Sequence, residues 1–236
     1  MAHHGHATTM DTLGAFGLLG WFVLMWAAVV VLILAERRGV HPAVHAGAGA
    51  VVVIGLAGQL IHMWEHVWQA GQWVAHPNSP ARMTPWGTGL AAGFGGVDRS
   101  RPVLGMEILH FVGNMIFLVG LLGVLVMTRQ ARSVKAQRTA RIGSWLQGAH
   151  CVEHLALMGT VWLGANRPIG VSTWFGQMDP GPGLWTYRIW WHFWANAIPT
   201  WYFLLAAWQL WSERETVAAS RRTVRSPGRL PSALPA

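Results

Sequence analysis

The sequence predicts an all-α, polytopic membrane protein with five transmembrane helices, in which helices 2 to 5 are a parallel tandem repeat of two hairpins forming a four-helix bundle. Three observations lead there. The 236 residues are 53% hydrophobic and only 11% charged, against about 25% charged in soluble domains. Apolar runs long enough to cross a bilayer recur along the chain. Residues 54–71, IGLAGQLIHMWEHVWQAG, align without gaps with residues 142–159, IGSWLQGAHCVEHLALMG, and HFVGNMI at 110–116 aligns with HFWANAI at 192–198.

The elements follow in order. A leader at 1–12, MAHHGHATTMDT, carries no Lys or Arg, so it lacks the basic region of a cleavable signal, and the apolar run at 13–35 reads as a retained first helix. The second helix is expected at about 44–74, the third at 103–128, the fourth at 141–165 and the fifth at 186–212. The transmembrane domain thus spans 13–212, with repeat halves at about 44–128 and 141–212. The connections at 75–102 and 166–185 are rich in Gly, Pro and Trp, which suits irregular outer loops. The tail, 213–236, reads as a disordered basic segment.

Charge orients the chain. Arg37 and Arg38 follow the first helix. Arg129, Arg132, Lys135, Arg138 and Arg141 lie between the third and fourth. Arg214, Arg221, Arg222, Arg225 and Arg229 follow the fifth. Twelve of the seventeen basic residues therefore fall on one face. By the positive-inside rule that face is cytoplasmic, which places the chain in the plasma membrane with its N-terminus outside and C-terminus inside. The net charge of +8 belongs to these linkers and does not indicate nucleic-acid binding. The lone cysteine, Cys151, excludes an intrachain disulfide and a thiol-rich zinc site. Tryptophans 73, 86, 162, 174 and 185 suit an outer aromatic belt, whereas Trp64 and Trp68 are candidates to line the bundle.

The matched residues carry the chemistry. His62 and His66 are four apart and share a helical face, which Glu65, Gln59 and Gly55 extend. His150, His154, Glu153, Gln147 and Gly143 repeat that stripe, and His110 with Asn114 matches His192 with Asn196. Glu107 has no counterpart, since Ile189 holds its place. Ionisable groups inside a membrane are costly and mark function by default. Each half offers three imidazoles and a carboxylate: His62, His66, His110 and Glu65 in one, His150, His154, His192 and Glu153 in the other. Imidazole suits copper or iron as well as zinc, and two facing sets would hold a dinuclear centre. Glu65 and Glu153 would then bridge metals or accept protons, while Asn114, Asn196, Gln59 and Gln147 would orient the rings. A metal-dependent oxidoreductase follows, acting on an apolar molecule of the bilayer such as a lipid, hydrocarbon or quinone.

Three other readings use the same residues. A haem b could sit between imidazoles of two helices and make the chain an electron carrier. A copper importer or metalloenzyme-assembly factor would use His3, His4 and His6 of the leader as an outer metal site, with Pro199 loosening the last helix. Polar packing between helices would need no ligand. The HxxEH stripes are similar in chemistry to the histidine boxes of membrane desaturases and hydroxylases, and to the three-histidine copper sites of soluble type 3 copper proteins. They match the pattern of neither.

Overall fold

The computed structural model describes residues 7–77, 79 and 82–213; His3, His4 and His6 and the tail beyond residue 213 lie outside them. Six α-helices and one 3-10 turn, with no strand, make up the described residues: α1 (Thr9–Arg38), α2 (Pro42–Ala75), α3 (Pro85–Gly95), α4 (Pro102–Gln130), α5 (Val134–Trp162), the turn Val171–Thr173, and α6 (Pro182–Ser212). Thr8 and Asp11 close a capping box at the start of α1. Four later helices begin with proline in the first turn, where its missing N–H is no loss.

By length and apolar composition three of these helices, α1, α2 and α4, are able to cross a membrane. That is fewer than the five expected. The stretch at the start of α5 carries Lys135, Arg138 and Arg141, and its middle carries the polar stripe. α6 is rich in tryptophan, which hydropathy scales count as weakly polar. Both are nonetheless as long as the others, at 29 and 31 residues. Pro199 does not interrupt α6.

α2, α4, α5 and α6 form a ring, in which α4 and α6 each pack against both α2 and α5. α1 lies outside the ring against α2, α3 and α4. At one end the core is aliphatic: Met25, Val29 and Leu32 of α1 meet Val52 and Leu56 of α2 and Phe117, Leu121 and Val124 of α4. Glycines let these helices approach. A Cβ at Gly123 would stand 2.8 Å from Val52, and one at Gly120 2.6 Å from Leu56. Gln130 Nε2 donates to the Leu32 carbonyl at 3.0 Å and its oxygen meets His45 at 2.9 Å, gathering the ends of α1, α2 and α4. Arg37, Arg38 and Arg129 occupy the last turns of α1 and α4 at this end.

At the opposite end α3 departs from the expected irregular loop. Thr84 caps it by accepting from the Gly87 amide, and Pro85 starts it. Arg101, just before α4, donates to the carbonyls of Val161 and Trp162 and so satisfies the end of α5. Asp98 pairs with Arg101 at 3.4 Å. The Ser100 hydroxyl and amide hold its carboxyl below the usual range. α5 also begins earlier than expected, capped by Ser133. Trp64 and Trp68 do not line the bundle, being 58% and 39% exposed. Each is two residues from His62 or His66, about 200° round the helix, so ring and imidazole cannot share a face.

Gly105 of α4 lies against α3, where a Cβ would meet the backbone of Ala91 and Gly95. Gly105→Ala should therefore cost about 1–3 kcal/mol and lower the Tm in detergent. Gly148→Ala, which meets open space, should leave it unchanged or raise it.

Candidate functional site

Six imidazoles from four helices converge in the ring. His62 and His66 come from α2, His110 from α4, His150 and His154 from α5 and His192 from α6. Neighbouring ring centroids lie 4.6–6.3 Å apart throughout the set. His66, His154, His150 and His192 are 1%, 1%, 5% and 7% exposed. The sets do not separate by half. His66 stacks on His192 at an interplanar angle of 5°, and His110 on His154 at 8°. Each stack joins the first helix of one expected hairpin to the second helix of the other.

Hydrogen bonds set the protons. His110 and His192 each place Nδ1 against a backbone oxygen four residues back, Met106 at 2.9 Å and Arg188 at 2.8 Å. A carbonyl only accepts, so both rings are protonated on Nδ1 and carry a lone pair on Nε2. The Asn196 amide nitrogen donates to the His192 carbonyl at 2.9 Å and lies 3.1 Å from Nε2 of His66 and 3.2 Å from Nε2 of His150, leaving one N–H for the two rings to share. Nε2 of His62 lies 3.3 Å from that of His66, and Nε2 of His154 lies 3.2 Å from that of His150. Four buried ring nitrogens are left without a partner: Nδ1 of His66, His150 and His154, and Nε2 of His192.

The two helical pairs are spaced as ligands would be. Nitrogens bound at ~2.0–2.1 Å around a tetrahedral zinc-like ion are about 3.3 Å apart. As the side chains stand, no three His, Cys, Asp or Glu groups among the described residues are arranged to hold a metal ion. A third ligand requires a ring rotation, and His192, whose Nε2 has no partner, is one source.

Glu65 and Glu153, expected to bridge metals or accept protons, bond to the outer connections rather than to the imidazoles. Glu65 accepts from the Thr84 amide at 2.9 Å, from the Thr84 hydroxyl, and from Gln69 at 3.2 Å. Glu153 accepts from the Val171 and Ser172 amides, each at 2.7 Å. Glutamates at i+3 from one histidine border the shared face and reach the outer connections instead. The distance in sequence is the same both times: 19 residues from Glu65 to Thr84 and from Glu153 to Ser172. That spacing was readable, because the offset of 88 between halves continues to Thr84 and Ser172.

Of the amides expected to orient the rings, Asn196 alone bonds to imidazole. Gln147 donates to Asn114, at 2.9 Å to its side chain and 3.1 Å to its carbonyl, joining α5 to α4. Gln59 donates to Thr200 at 3.2 Å, joining α2 to α6. Cys151 donates to the Asn114 carbonyl at 3.3 Å. Arg188, not singled out from sequence, pairs with the fully buried Glu107 at 3.1 Å. It is the charge partner that Glu107 needs at that depth.

A cavity of about 820 Å³ opens between α5 and α6. His150 and Glu153 form part of its wall, and Phe175, Tyr187, Trp190, Trp191 and Trp194 form much of the rest.

The chain belongs to a family of unknown function, DUF6008, whose model matches residues 1–233. No curated protein and no solved structure matches it.

The carboxylate bonds give a direct prediction. Hydrogen bonds to a charged group contribute about 1.5–3 kcal/mol each. Glu65→Ala should raise amide exchange at Thr84 and Gly87 about 100-fold, and Glu153→Ala should do the same at Val171 and Ser172, each leaving the other loop protected. Exchange read by mass spectrometry checks both.

Proposed function

We propose that the chain is a metal-dependent membrane oxidoreductase. Its six imidazoles bind copper or iron, and the metal exchanges electrons with an apolar molecule dissolved in the bilayer. The observation that carries this reading is the convergence of six imidazoles from four helices, four buried and two partly buried, with the Nε2 atoms of each helical pair 3.2–3.3 Å apart. A neutral imidazole keeps one lone pair whichever tautomer it adopts, and a cation is the partner that several such lone pairs share. To hold an ion, His62, His66, His150 and His154 would each present the Nε2 lone pair and carry the ring proton on Nδ1, with His110 and His192 presenting their own Nε2. The Met106 and Arg188 carbonyls fix those last two rings in the tautomer that ligation requires. The bound metal supplies a reversible electron acceptor. With no carboxylate or thiolate in the set, soft and borderline ions are favoured over magnesium or calcium.

Haem has less support. A macrocycle needs a flat slot between its axial ligands, and these rings pack within 4.6–6.3 Å of one another. Transport also has less: beyond the cluster the core carries apolar residues such as Phe117, Leu121, Val124, Ala140 and Ala206, and the amides of Gln59 and Gln147 are engaged in joining helices.

The reading includes five spans and a repeat. α5 and α6 lie beside α2 and α4, and expose apolar side chains such as Trp145, Leu155, Ile198 and Trp201. The matched loop clamps at Glu65 and Glu153, and the helix-joining bonds of Gln59 and Gln147, support two copies of one hairpin. The basic end faces the cytoplasm of a plasma-membrane protein by the positive-inside rule.

Two measurements test this. Protein purified in mild detergent without chelator should carry at least one copper or iron per chain by mass spectrometry. His66→Ala and His150→Ala should lose it, Asn196→Ala should weaken it about 10- to 100-fold, and Glu65→Gln should keep it. Absence of metal after reconstitution with either ion would overturn the proposal. For topology, in a Cys151→Ser background, an impermeant maleimide should label Ser100→Cys in intact cells and leave Lys135→Cys unlabelled until lysis.

A further inference from the structure

The outward face of α5 changes character along its length. Lys135, Arg138, Ile142, Leu146 and Ala149 follow one another at steps of three or four residues, the spacing of a single row on a helix. All five are exposed. The row starts basic and becomes apolar, and Leu146 and Ala149 are wall residues of the cavity between α5 and α6. Arg141, beside the row, is exposed as well. A basic stripe therefore runs up the helix to the edge of an apolar cavity.

The cations are unpaired. Neither ion pair among the described residues, Asp98–Arg101 or Glu107–Arg188, includes Lys135, Arg138 or Arg141. Nor do the two arginines lie in a linker. They stand about 6 and 10 Å above the first residue of α5, at ~1.5 Å per residue. Two residues past Arg141, a Cβ at Gly143 would lie 3.6 Å from Leu121 of the aliphatic core. An arginine attached at that level on a lipid-facing surface is costly unless it reaches the headgroup layer or an anion. The cavity asks for the opposite chemistry. Its volume, about 820 Å³, lies within the range of small-molecule sites, ~300–1,000 Å³. The one charged group lining it, Glu153, already has an oxygen on each of two loop amides.

We infer that stripe and cavity together bind an anionic glycerophospholipid of the cytoplasmic leaflet. Lys135, Arg138 and Arg141 hold its phosphate, and one acyl chain runs up along Ile142 to end between α5 and α6. From Arg138 to Ala149 the row climbs about 16 Å, close to half of the ~30 Å hydrocarbon thickness, which is the depth one leaflet's chains fill. The inference rests on the proposed placement of α5 and α6 in the membrane and not on the metal. A neutral apolar molecule matches the cavity alone, and a free phosphate matches the stripe alone. A zwitterionic lipid brings its own cation to the stripe. The other half of the chain carries neither part: at the offset of 88, Gly47, Ala50 and Val53 stand in place of the three cations, and the seam between α2 and α4 lies under α1, which packs on both.

The test uses full-length protein in mild detergent and phosphatidylglycerol with a diazirine near the end of one acyl chain. After illumination, the label should map to residues 146–156 and 190–198. Unlabelled phosphatidylglycerol should compete at least about tenfold better than phosphatidylcholine, and glycerol phosphate, which has no chain, should not compete. Lys135→Gln, Arg138→Gln and Arg141→Gln together should weaken labelling about 10- to 100-fold and erase the preference over phosphatidylcholine. These side chains are exposed, so the Tm of that variant should stay that of the parent. Ala149→Trp, in the cavity wall, should remove the label from both segments. Equal competition by phosphatidylcholine, competition by glycerol phosphate, labelling spread over α1 and α2, or unchanged labelling of the triple variant would each overturn the inference. Metal content and the maleimide pattern separate it from the reading above: unselective labelling of protein that holds metal and shows the expected topology fails this inference alone, and selective labelling without metal fails the metal proposal alone.

Discussion

Six imidazoles gathered among four helices, four of them buried, constrain everything else in this molecule. Each ring brings two nitrogens into a dry interior, and polar atoms there must pair or cost free energy. The chain spends its polar side chains on that problem unevenly. The Asn196 amide lies against two rings, and two backbone carbonyls serve two more. The remaining amides go to the frame, Gln147 to Asn114 and Gln59 to Thr200. These frame bonds run between hairpins, α5 to α4 and α2 to α6, and so fix the axial register of the four helices. A one-turn slip of any helix would separate the stacked rings and orphan a glutamine at once.

The acidic residues divide the remaining work. Glu65 and Glu153 are almost fully buried, and each satisfies its charge with loop amides and hydroxyls rather than with a cation. A carboxylate that accepts two or three such bonds is well solvated by the protein itself. The outer connections are thereby drawn onto the ends of α2 and α5 and close the bundle above the cluster. Glu107 takes the other route, with Arg188 as its ion partner. Arg188 also supplies the carbonyl that sets the His192 tautomer. One residue thus couples the only buried ion pair among the described residues to the orientation of a candidate ligand.

Much of this was legible in the sequence, for a physical reason. Helical periodicity fixes which residues share a face, so His62 with His66 and His150 with His154 could be placed together from spacing alone. The same geometry failed for the glutamates, because i+3 sets a side chain at the border of a face, and its true partners stood 19 residues away in a loop. Nor could spacing show that the rings stack across hairpins, since that depends on helix order around the ring. α3 was missed because its glycines and proline read as breakers. Thr84 and Pro85 are instead a cap and a first-turn residue, a start signal. The count of spans suffered from the opposite problem: the inward polar stripe of α5 and the tryptophans of α6 dilute the apolar signal that α1 and α4 carry undiluted.

The proposed repeat is most informative where it breaks. At the offset of 82 that relates α4 to α6, Glu107 faces Ile189 and Met106 faces Arg188. The charge pair therefore joins the two copies at positions where neither copy resembles the other, and it cannot have existed in a symmetric pair. The outer connections diverge in the same sense. Both begin with the glutamate clamp, but the first then builds the 11-residue α3 while the second makes only a three-residue turn. α3 and α1 pack on the α4 side of the ring. The short turn leaves the α5–α6 side open over the aromatic cavity. Duplication would account for a cluster with twofold logic, and the later additions for the difference between its two sides. A symmetric cluster with two open seams would admit ligands from both sides. Covering one seam leaves the described cavity on the side of His150, and makes the two halves chemically distinct although their histidines still match.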